Sequence, residues 1–168
     1  PEGLLITRFP PEPALEGLTI AQIAANKGTT PAEVLMDLTQ RSQTMGKGDA
    51  VIATSMRSDD VAALMAWPHA NIGSDGSLAG KHPRGAGAFT KVLRLYARDQ
   101  KLFSFEEAIH KMTGLSAAHM GIADRGVIRP GAFADLVLLD PDRVSDRSTI
   151  EEPQARSVGI DKVWVNGV

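Results

Sequence analysis

The chain has 168 residues, of which 43% are hydrophobic, so it is long enough to bury a sizeable apolar core. Its formal net charge is −2 at pH 7 with both signs interspersed, which argues against binding to nucleic acid or to an anionic membrane. Cysteine is absent, which excludes disulfides, and no apolar run reaches the roughly 18 residues of a membrane span. We expect a cytoplasmic protein.

The first third of the chain is predicted to form a strand and two helices. Residues 3–8 are an apolar run typical of a strand. Thr19 and Thr30 each begin a capping box, in which a side chain three residues later reaches back to the start of the helix. Pro31 strengthens the second box because proline favours the first helical position. This helix is predicted to extend to about Gln40.

The next segment has the pattern of a strand, a helix and a second strand. Residues 51–54 predict the first strand, and Ser58 caps a helix that ends before Pro68. A short apolar approach then leads into residues 72–76, Ile-Gly-Ser-Asp-Gly. We expect a strand here that ends at Asp75.

Asp75 is the candidate catalytic residue, because loops at the carboxyl ends of strands present side chains over a rigid base. Gly73 and Gly76 are expected to free the backbone on either side of it. Taken alone, aspartate among glycine and serine is more often an ordinary turn than a catalytic site.

The second half of the chain is predicted to form three helices and then two strands. Apolar residues at helical spacing predict a helix over 89–96, and a capping box at Ser104 begins another. A short helix is expected over 116–120. Strands are predicted over 134–140 and 163–165, the latter leading into an Asn-Gly turn.

Several ordered motifs resemble those of a known enzyme family. Residues 124–140 and 163–167 are similar to the small β-domain at the end of amidohydrolase-superfamily enzymes. Within that superfamily, the 72–76 motif, the His-Pro-Arg of 82–84 and residues 105–113 resemble the N-acyl-D-amino-acid deacylases, or D-aminoacylases. The order of these motifs makes the resemblance more specific than any one of them.

The resemblance implies an α/β fold with two domains. Residues 1–123 would be the C-terminal part of a (β/α)8 TIM-like barrel, with a helical lid insertion at about 14–48. Residues 124–168 would be part of a small β-domain, a β-sandwich. In this reading, residues 3–8 are a late barrel strand and residues 72–75 are the final strand.

The resemblance also implies metal-assisted amide hydrolysis with one or two Zn²⁺ ions. Asp75 matches the position of the carboxylate that moves the proton, and it is a candidate metal ligand. The four histidines show no zinc-ligand spacing; they are His69, His82, His110 and His119. We therefore expect the remaining ligands outside this chain, in an N-terminal part of a longer enzyme, and expect the isolated chain to be inactive.

Three further residues are candidates for substrate binding, each with a structural alternative. Arg84 and His82 follow Asp75 in a glycine-rich loop, where they either contact a substrate carboxylate or anchor the loop. Met56 follows a predicted strand and either lines an acyl pocket or packs in the core.

We therefore expect part of an enzyme that hydrolyses N-acyl-D-amino acids to a carboxylic acid and a D-amino acid. Its partners would be this small-molecule substrate, the rest of the same enzyme and a further copy in an oligomer. Two alternatives stay open: a dihydroorotase- or hydantoinase-like cyclic amide hydrolase, and a non-catalytic binding module.

Overall fold

The computed structural model describes residues 3–45, 48–77 and 80–168. Contacts between residues divide the chain into two compact units, one ending at Met56 and the next beginning at Arg57. Within the described ranges, no helix combines the length and the apolar character that are needed to cross a bilayer.

The first unit contains a two-stranded sheet and two helices. Strand β1 (Leu4–Arg8) pairs antiparallel with β2 (Ala50–Ala53), and α1 (Ile20–Lys27) and α2 (Pro31–Met45) lie between them in the chain. A 3-10 turn at Pro13–Leu15 precedes α1. The buried core joins residues from all of these elements except β2, namely Ile6, Phe9, Leu15, Ile20, Ile23, Ala24, Val34 and Leu38.

Both predicted capping boxes are present in the first unit. The Thr19 hydroxyl accepts a hydrogen bond from the Gln22 N–H, and the Gln22 side chain accepts one from the Thr19 N–H. At the start of α2, the Glu33 carboxylate accepts from the N–H and the hydroxyl of Thr30. The Thr29 hydroxyl and these Thr30 groups lower the pKa of Glu33 to about 2. Local side-chain chemistry therefore fixes where both helices begin, while α2 ends five residues later than predicted.

The second unit is mainly helical and ends in a hairpin. Its elements in chain order are α3 (Ser58–Ala66), α4 (Arg84–Lys91), a π-helical continuation of α4 (Val92–Asp99), α5 (Phe105–Met112), α6 (Gly114–His119), β3 (Leu136–Leu139) and β4 (Ile160–Trp164). Helix α4 begins five residues before the predicted start at residue 89.

Gly87 of α4 lies so close to Ser148 that an added Cβ would meet the Ser148 Oγ at 2.1 Å.

The core of the second unit joins the helices to the segment after β3. Its buried residues are Val92, Leu93, Ala97, Ala108 and Val144. Arg98 donates from Nη1 to the carbonyl oxygens of Pro141, Asp142 and Val144 at 3.2, 3.0 and 2.9 Å. Arg94 donates from Nε to Asp146 at 2.6 Å. These contacts hold the segment after β3 against the π-helical continuation of α4.

The two strands predicted in the last part of the chain form, as β3 and β4, and the predicted Asn-Gly turn follows β4. Strands β3 and β4 pair antiparallel, and Asn166 and Gly167 both have positive φ in the two-residue turn after β4. Asp135 accepts a hydrogen bond from the Asn166 N–H at 2.9 Å and pairs with Arg125. These two contacts lower the pKa of Asp135 and identify it as a structural anchor of the turn.

The predicted strand at residues 72–75 does not form. Residues 71–77 are irregular, because the Ile72 N–H donates to the carbonyl oxygen of Lys111 on α5 instead of to a neighbouring strand. The resulting fold is mixed α/β.

Neither a barrel nor a sandwich is present in the part of the chain that is described. Strands β1 and β2 run antiparallel, whereas neighbouring strands of a (β/α)8 barrel are parallel, so this pair is not two adjacent barrel strands. Strands β3 and β4 form a sheet of only two strands. The predicted boundary at residue 124 and the lid at about 14–48 stay predictions.

Candidate functional site

Asp75 lies on an exposed turn after residues 71–74. Its φ is 44°, in the left-handed region that aspartate adopts more readily than most residues with a Cβ. The Ser74 hydroxyl accepts a hydrogen bond from the Gly76 N–H at 3.2 Å, which closes the turn. The Asp75 side chain is 88% exposed, so the turn presents its carboxylate to solvent.

The turn packs closely against the beginning of α4. A Cβ on Gly76 would lie 2.5 Å from the Gly85 Cα, and a Cβ on Gly85 would lie 2.9 Å from the Ser77 carbonyl oxygen. These approaches require glycine at both positions. Gly73 was expected to serve in the same way, but a Cβ there would meet no atom within 4 Å.

Arg84, the first residue of α4, forms an ion pair with Asp75. Its Nη2 lies 2.7 Å from the Asp75 Oδ2, a distance typical of a charge-assisted hydrogen bond. The Arg84 side chain is 45% exposed. The structure therefore brings two of the predicted site residues into direct contact, in a place that solvent and small molecules can reach.

His82 lies beside this pair. Its Nδ1 accepts a hydrogen bond from the Arg84 N–H at 3.1 Å, which requires an unprotonated Nδ1. Burial lowers the pKa of His82, and the positive charges of Arg84 and Lys91 lower it further, while the charge of Asp75 opposes them. The geometry thus favours a neutral His82 that orders the start of α4.

Met56 belongs to the first unit, where its side chain is 61% exposed. It follows β2 at a bend and is not part of the buried core there. Met56 is therefore not part of the core that this chain forms, and both alternatives, an acyl pocket and core packing, stay predictions for the longer enzyme. The catalytic and substrate-binding roles of Asp75, Arg84 and His82 also stay predictions.

Lys111 is a residue near this site that the sequence reasoning did not single out. Its side chain is 1% exposed, and its Nζ donates to the carbonyl oxygens of Trp67 and Ala70 at 2.7 and 3.2 Å. The available signal in the sequence was a lysine among the apolar residues of α5. A lysine in that place indicates a buried ammonium, which needs several acceptors.

A complete zinc site needs at least three protein ligands. Across residues 3–45, 48–77 and 80–168, no three histidine, aspartate or glutamate side chains come together in a way that holds a metal ion. The described residues therefore do not fit a complete zinc site, and Asp75 offers a single carboxylate. His119 instead contacts Asn71, with its Nδ1 at 3.3 Å from the amide oxygen.

Known proteins are similar in sequence to this chain. A profile of the Amidohydrolase family matches residues 11–168. D-aminoacylase from Alcaligenes xylosoxydans xylosoxydans is 42% identical over 165 residues, which are 97% of this chain and 32% of that enzyme. N-acyl-D-aspartate deacylase from the same organism is 49% identical over 114 residues, 67% of this chain and 23% of that enzyme. A dihydroorotase from Lactobacillus acidophilus is 28% identical over 105 residues, 61% of this chain and 24% of that enzyme.

Solved structures share the fold. A D-aminoacylase studied for its binuclear metal centre matches with a TM-score of 0.87 and 41% identity, over 98% of this chain and 33% of that one. N-acyl-D-glutamate deacylase from Bordetella bronchiseptica, complexed with zinc and a phosphonate inhibitor, matches with a TM-score of 0.87 and 39% identity. That match covers 99% of this chain and 34% of the deacylase.

The chain therefore belongs to the amidohydrolase family. It is similar to D-aminoacylases and N-acyl-D-amino-acid deacylases at about 40% identity, which confirms the resemblance drawn from the motifs. Nearly the whole of this chain matches these D-aminoacylases, but it spans only about a third of their length.

Proposed function

We propose that this chain is part of a zinc-dependent enzyme that hydrolyses the amide bond of N-acyl-D-amino acids. The products are a carboxylic acid and a D-amino acid. The observation that carries the proposal is the exposed Asp75 carboxylate, held beside Arg84 in a chain about 40% identical to D-amino-acid deacylases. The more distant match to a dihydroorotase supports the family rather than this substrate class.

Asp75 is proposed to move the proton in this reaction. As a general base it takes a proton from the attacking water, and as a general acid it gives that proton to the leaving nitrogen. Its exposure lets water and the scissile amide approach the carboxylate. Zinc, when bound, supplies Lewis-acid polarisation of the carbonyl group and a water of lowered pKa.

Arg84 is proposed to bind the carboxylate of the amino-acid substrate. Its guanidinium carries donors in a planar fork that matches a carboxylate, and Asp75 already occupies that fork in part. A substrate carboxylate that takes over Arg84 leaves the Asp75 oxygen available to water. His82 is proposed to hold the loop through the Arg84 N–H, and Met56 to line the acyl pocket.

The architecture proposed for the whole enzyme follows the same relatives. Residues 1–123 are assigned to the end of a (β/α)8 barrel with a lid at about 14–48, and residues 124–168 to a small β-domain. The other metal ligands are assigned to the rest of the polypeptide, without which we expect this chain to be inactive. We also propose a cytoplasmic location, no nucleic-acid or membrane partner, and assembly into oligomers.

The test uses the full-length protein that contains this chain, loaded with zinc. Release of the amino acid is measured from N-acetyl derivatives of D-amino acids and of their L-enantiomers, and opening of the ring to N-carbamoylaspartate is measured with dihydroorotate. The proposal expects hydrolysis of at least one D-derivative, its loss with a chelator and its return with zinc. Turnover of dihydroorotate alone would favour the cyclic amide alternative, and failure of the zinc-loaded protein on every substrate would favour a binding module.

A further inference from the structure

Lys111 is a buried cation with an unusual set of partners. Its side chain is 1% exposed, and its Nζ lies 2.7 Å from the Trp67 carbonyl oxygen and 3.2 Å from that of Ala70. The Glu107 carboxylate lies 3.6 Å away and is 39% exposed. An ammonium group carries three donors, and two of them bond to these carbonyl oxygens, while Glu107 adds an ion pair at a longer distance.

The backbone of Lys111 holds the same segment. Its carbonyl oxygen accepts the N–H of Ile72 at 3.1 Å, and it also accepts the Ser116 hydroxyl at 2.8 Å. The side chain and the backbone of one residue therefore fix the chain at three points, Trp67, Ala70 and Ile72. Ser116 in turn ties the Lys111 carbonyl to α6.

The segment that Lys111 holds leads directly into the Asp75 turn. Asp75 follows Ile72 by three residues, and the intervening Gly73 has open space where a Cβ would be. The turn then meets α4 through Gly76 and Gly85. Residues 71–77 are irregular, and the bond from the Ile72 N–H to the Lys111 carbonyl oxygen takes the place of a bond to a neighbouring strand.

We propose that Lys111 is a positioning residue for Asp75, through its three bonds to residues 67–72. The inference rests on the proposed function, in which the Asp75 carboxylate must lie close to the attacking water. A displacement of about 1 Å at a reacting group can cost on the order of 100-fold in rate. One ammonium reaches both carbonyl oxygens, and an apolar side chain would remove a donor from each of them. The Trp67 oxygen would keep the Ala70 N–H at 3.0 Å, so the loss falls mainly on the bond to Ala70.

The test compares Lys111→Met and Lys111→Gln in the zinc-loaded full-length protein. Methionine has a similar length and no donor, while glutamine keeps two N–H donors. Lys162→Met, on β4, is the matched control, because Lys162 is exposed and contacts the Trp164 ring rather than this segment. The readouts are kcat, KM, zinc content and hydrogen–deuterium exchange of the peptide that spans residues 67–77.

The expected result is a fall in kcat of roughly 10- to 100-fold for Lys111→Met and a smaller fall for Lys111→Gln. KM and zinc content stay close to those of the parent, and exchange in residues 67–77 becomes faster. Parent-like kcat per bound zinc in both variants would overturn the inference, even if their thermal stability fell. If Lys111→Met does not fold, the result for Lys111→Gln decides in the same way.

The failure of this inference can be told apart from the failure of the proposed function. If the parent protein hydrolyses no N-acyl-D-amino acid, the proposed function fails. The exchange of residues 67–77 still reports whether Lys111 holds this segment, and unchanged exchange in both variants would show that it does not.

Discussion

Asp75 and Arg84 form a pair that is close but exposed. The Arg84 Nη2 and the Asp75 Oδ2 are 2.7 Å apart, while the Arg84 side chain is 45% exposed and the Asp75 side chain is 88% exposed. Exposed ion pairs contribute little to stability, about 0–1 kcal/mol, because water and salt screen them. The pair is therefore better suited to exchange partners with a charged ligand than to hold the fold together.

Replacing Arg84 by alanine is expected to weaken substrate binding more than it slows the chemical step. A charge-assisted hydrogen bond contributes about 1.5–3 kcal/mol, which corresponds to a rise in KM of roughly 10- to 100-fold. Arg84→Lys should recover part of this loss, because lysine keeps the charge but not the fork. Steady-state kinetics of the full-length protein measure KM and kcat for both variants. An unchanged KM for Arg84→Ala would show that Arg84 does not bind the substrate.

His82 predicts how stability depends on pH. Because burial lowers the pKa of His82 below its ordinary 6.5, the unfolded chain binds more protons at this residue than the folded chain does just below that pH. The free energy of unfolding should therefore decrease as the pH falls through 6.5. Denaturant titrations of the full-length protein at several pH values measure this.

The matched variant for this prediction is His82→Asn, which keeps an acceptor for the Arg84 N–H but cannot become protonated. It should show a shallower loss of stability as the pH falls. His110→Asn, at an exposed position on α5, is the control and should follow the parent. The same pH dependence in the parent and in His82→Asn would contradict the account.

The helix starts with local capping signals were predictable from the sequence, whereas the hydrogen bonding of residues 72–75, which depends on a distant residue, was not. Thr19, Thr30 and Ser104 cap their helices with bonds to residues three positions away, so their motifs are visible in the sequence. The strand expected at 72–75 instead bonds to Lys111, 39 residues further along the chain from Ile72. No local pattern carries that information.

The candidate site divides in the same way. The glycine-flanked Asp75 and the His-Pro-Arg motif were visible, and the structure places Arg84 against Asp75. The role of Lys111 was not visible, because the carbonyl groups that it binds lie 41 and 44 residues away. The left-handed backbone of Asp75 was not predicted from the sequence either.

At the scale of elements, the approach of the Asp75 turn to α4 depends on Gly76. Gly76→Ala would place a Cβ 2.5 Å from the Gly85 Cα, so the turn or the helix must shift. Overpacking of this kind costs about 1–3 kcal/mol of stability, and we expect kcat to fall with it. Thermal unfolding and activity of the full-length protein measure both effects.

Gly73→Ala is the matched control for this change. It adds the same methyl group three residues earlier, where no atom lies within 4 Å. Its effect on stability should stay within about 0.5 kcal/mol. Equal losses of stability in Gly73→Ala and Gly76→Ala would show that the close approach of the turn to α4 is not the reason why Gly76 is needed.

At the scale of the whole molecule, the chain carries a candidate proton-transfer group without a complete metal site. It spans about a third of the related deacylases, and no metal-binding cluster is found in the ranges that the structure describes. The hairpin of β3 and β4 also leaves Val137, Leu138 and Val163 about half exposed. We expect these apolar side chains to pack against the rest of the polypeptide.

The separated chain is therefore expected to bind no zinc tightly and to hydrolyse no N-acyl-D-amino acid. Equilibrium dialysis against zinc, followed by metal analysis, compares residues 1–168 with the full-length protein. Tight, stoichiometric zinc binding by the separated chain would show that the metal ligands lie within it, contrary to this account.

The central claim is that Asp75 moves the proton in a metal-dependent hydrolysis, and Asp75→Asn in the zinc-loaded full-length protein tests it most directly. Asparagine keeps the shape of the side chain and cannot act as the base, so kcat should fall by roughly 100- to 10,000-fold. At least one zinc ion should remain bound, and Asp60→Asn, at an exposed carboxylate in the first turn of α3, should keep the parent activity. Parent-like kcat in Asp75→Asn with zinc fully bound would contradict the account.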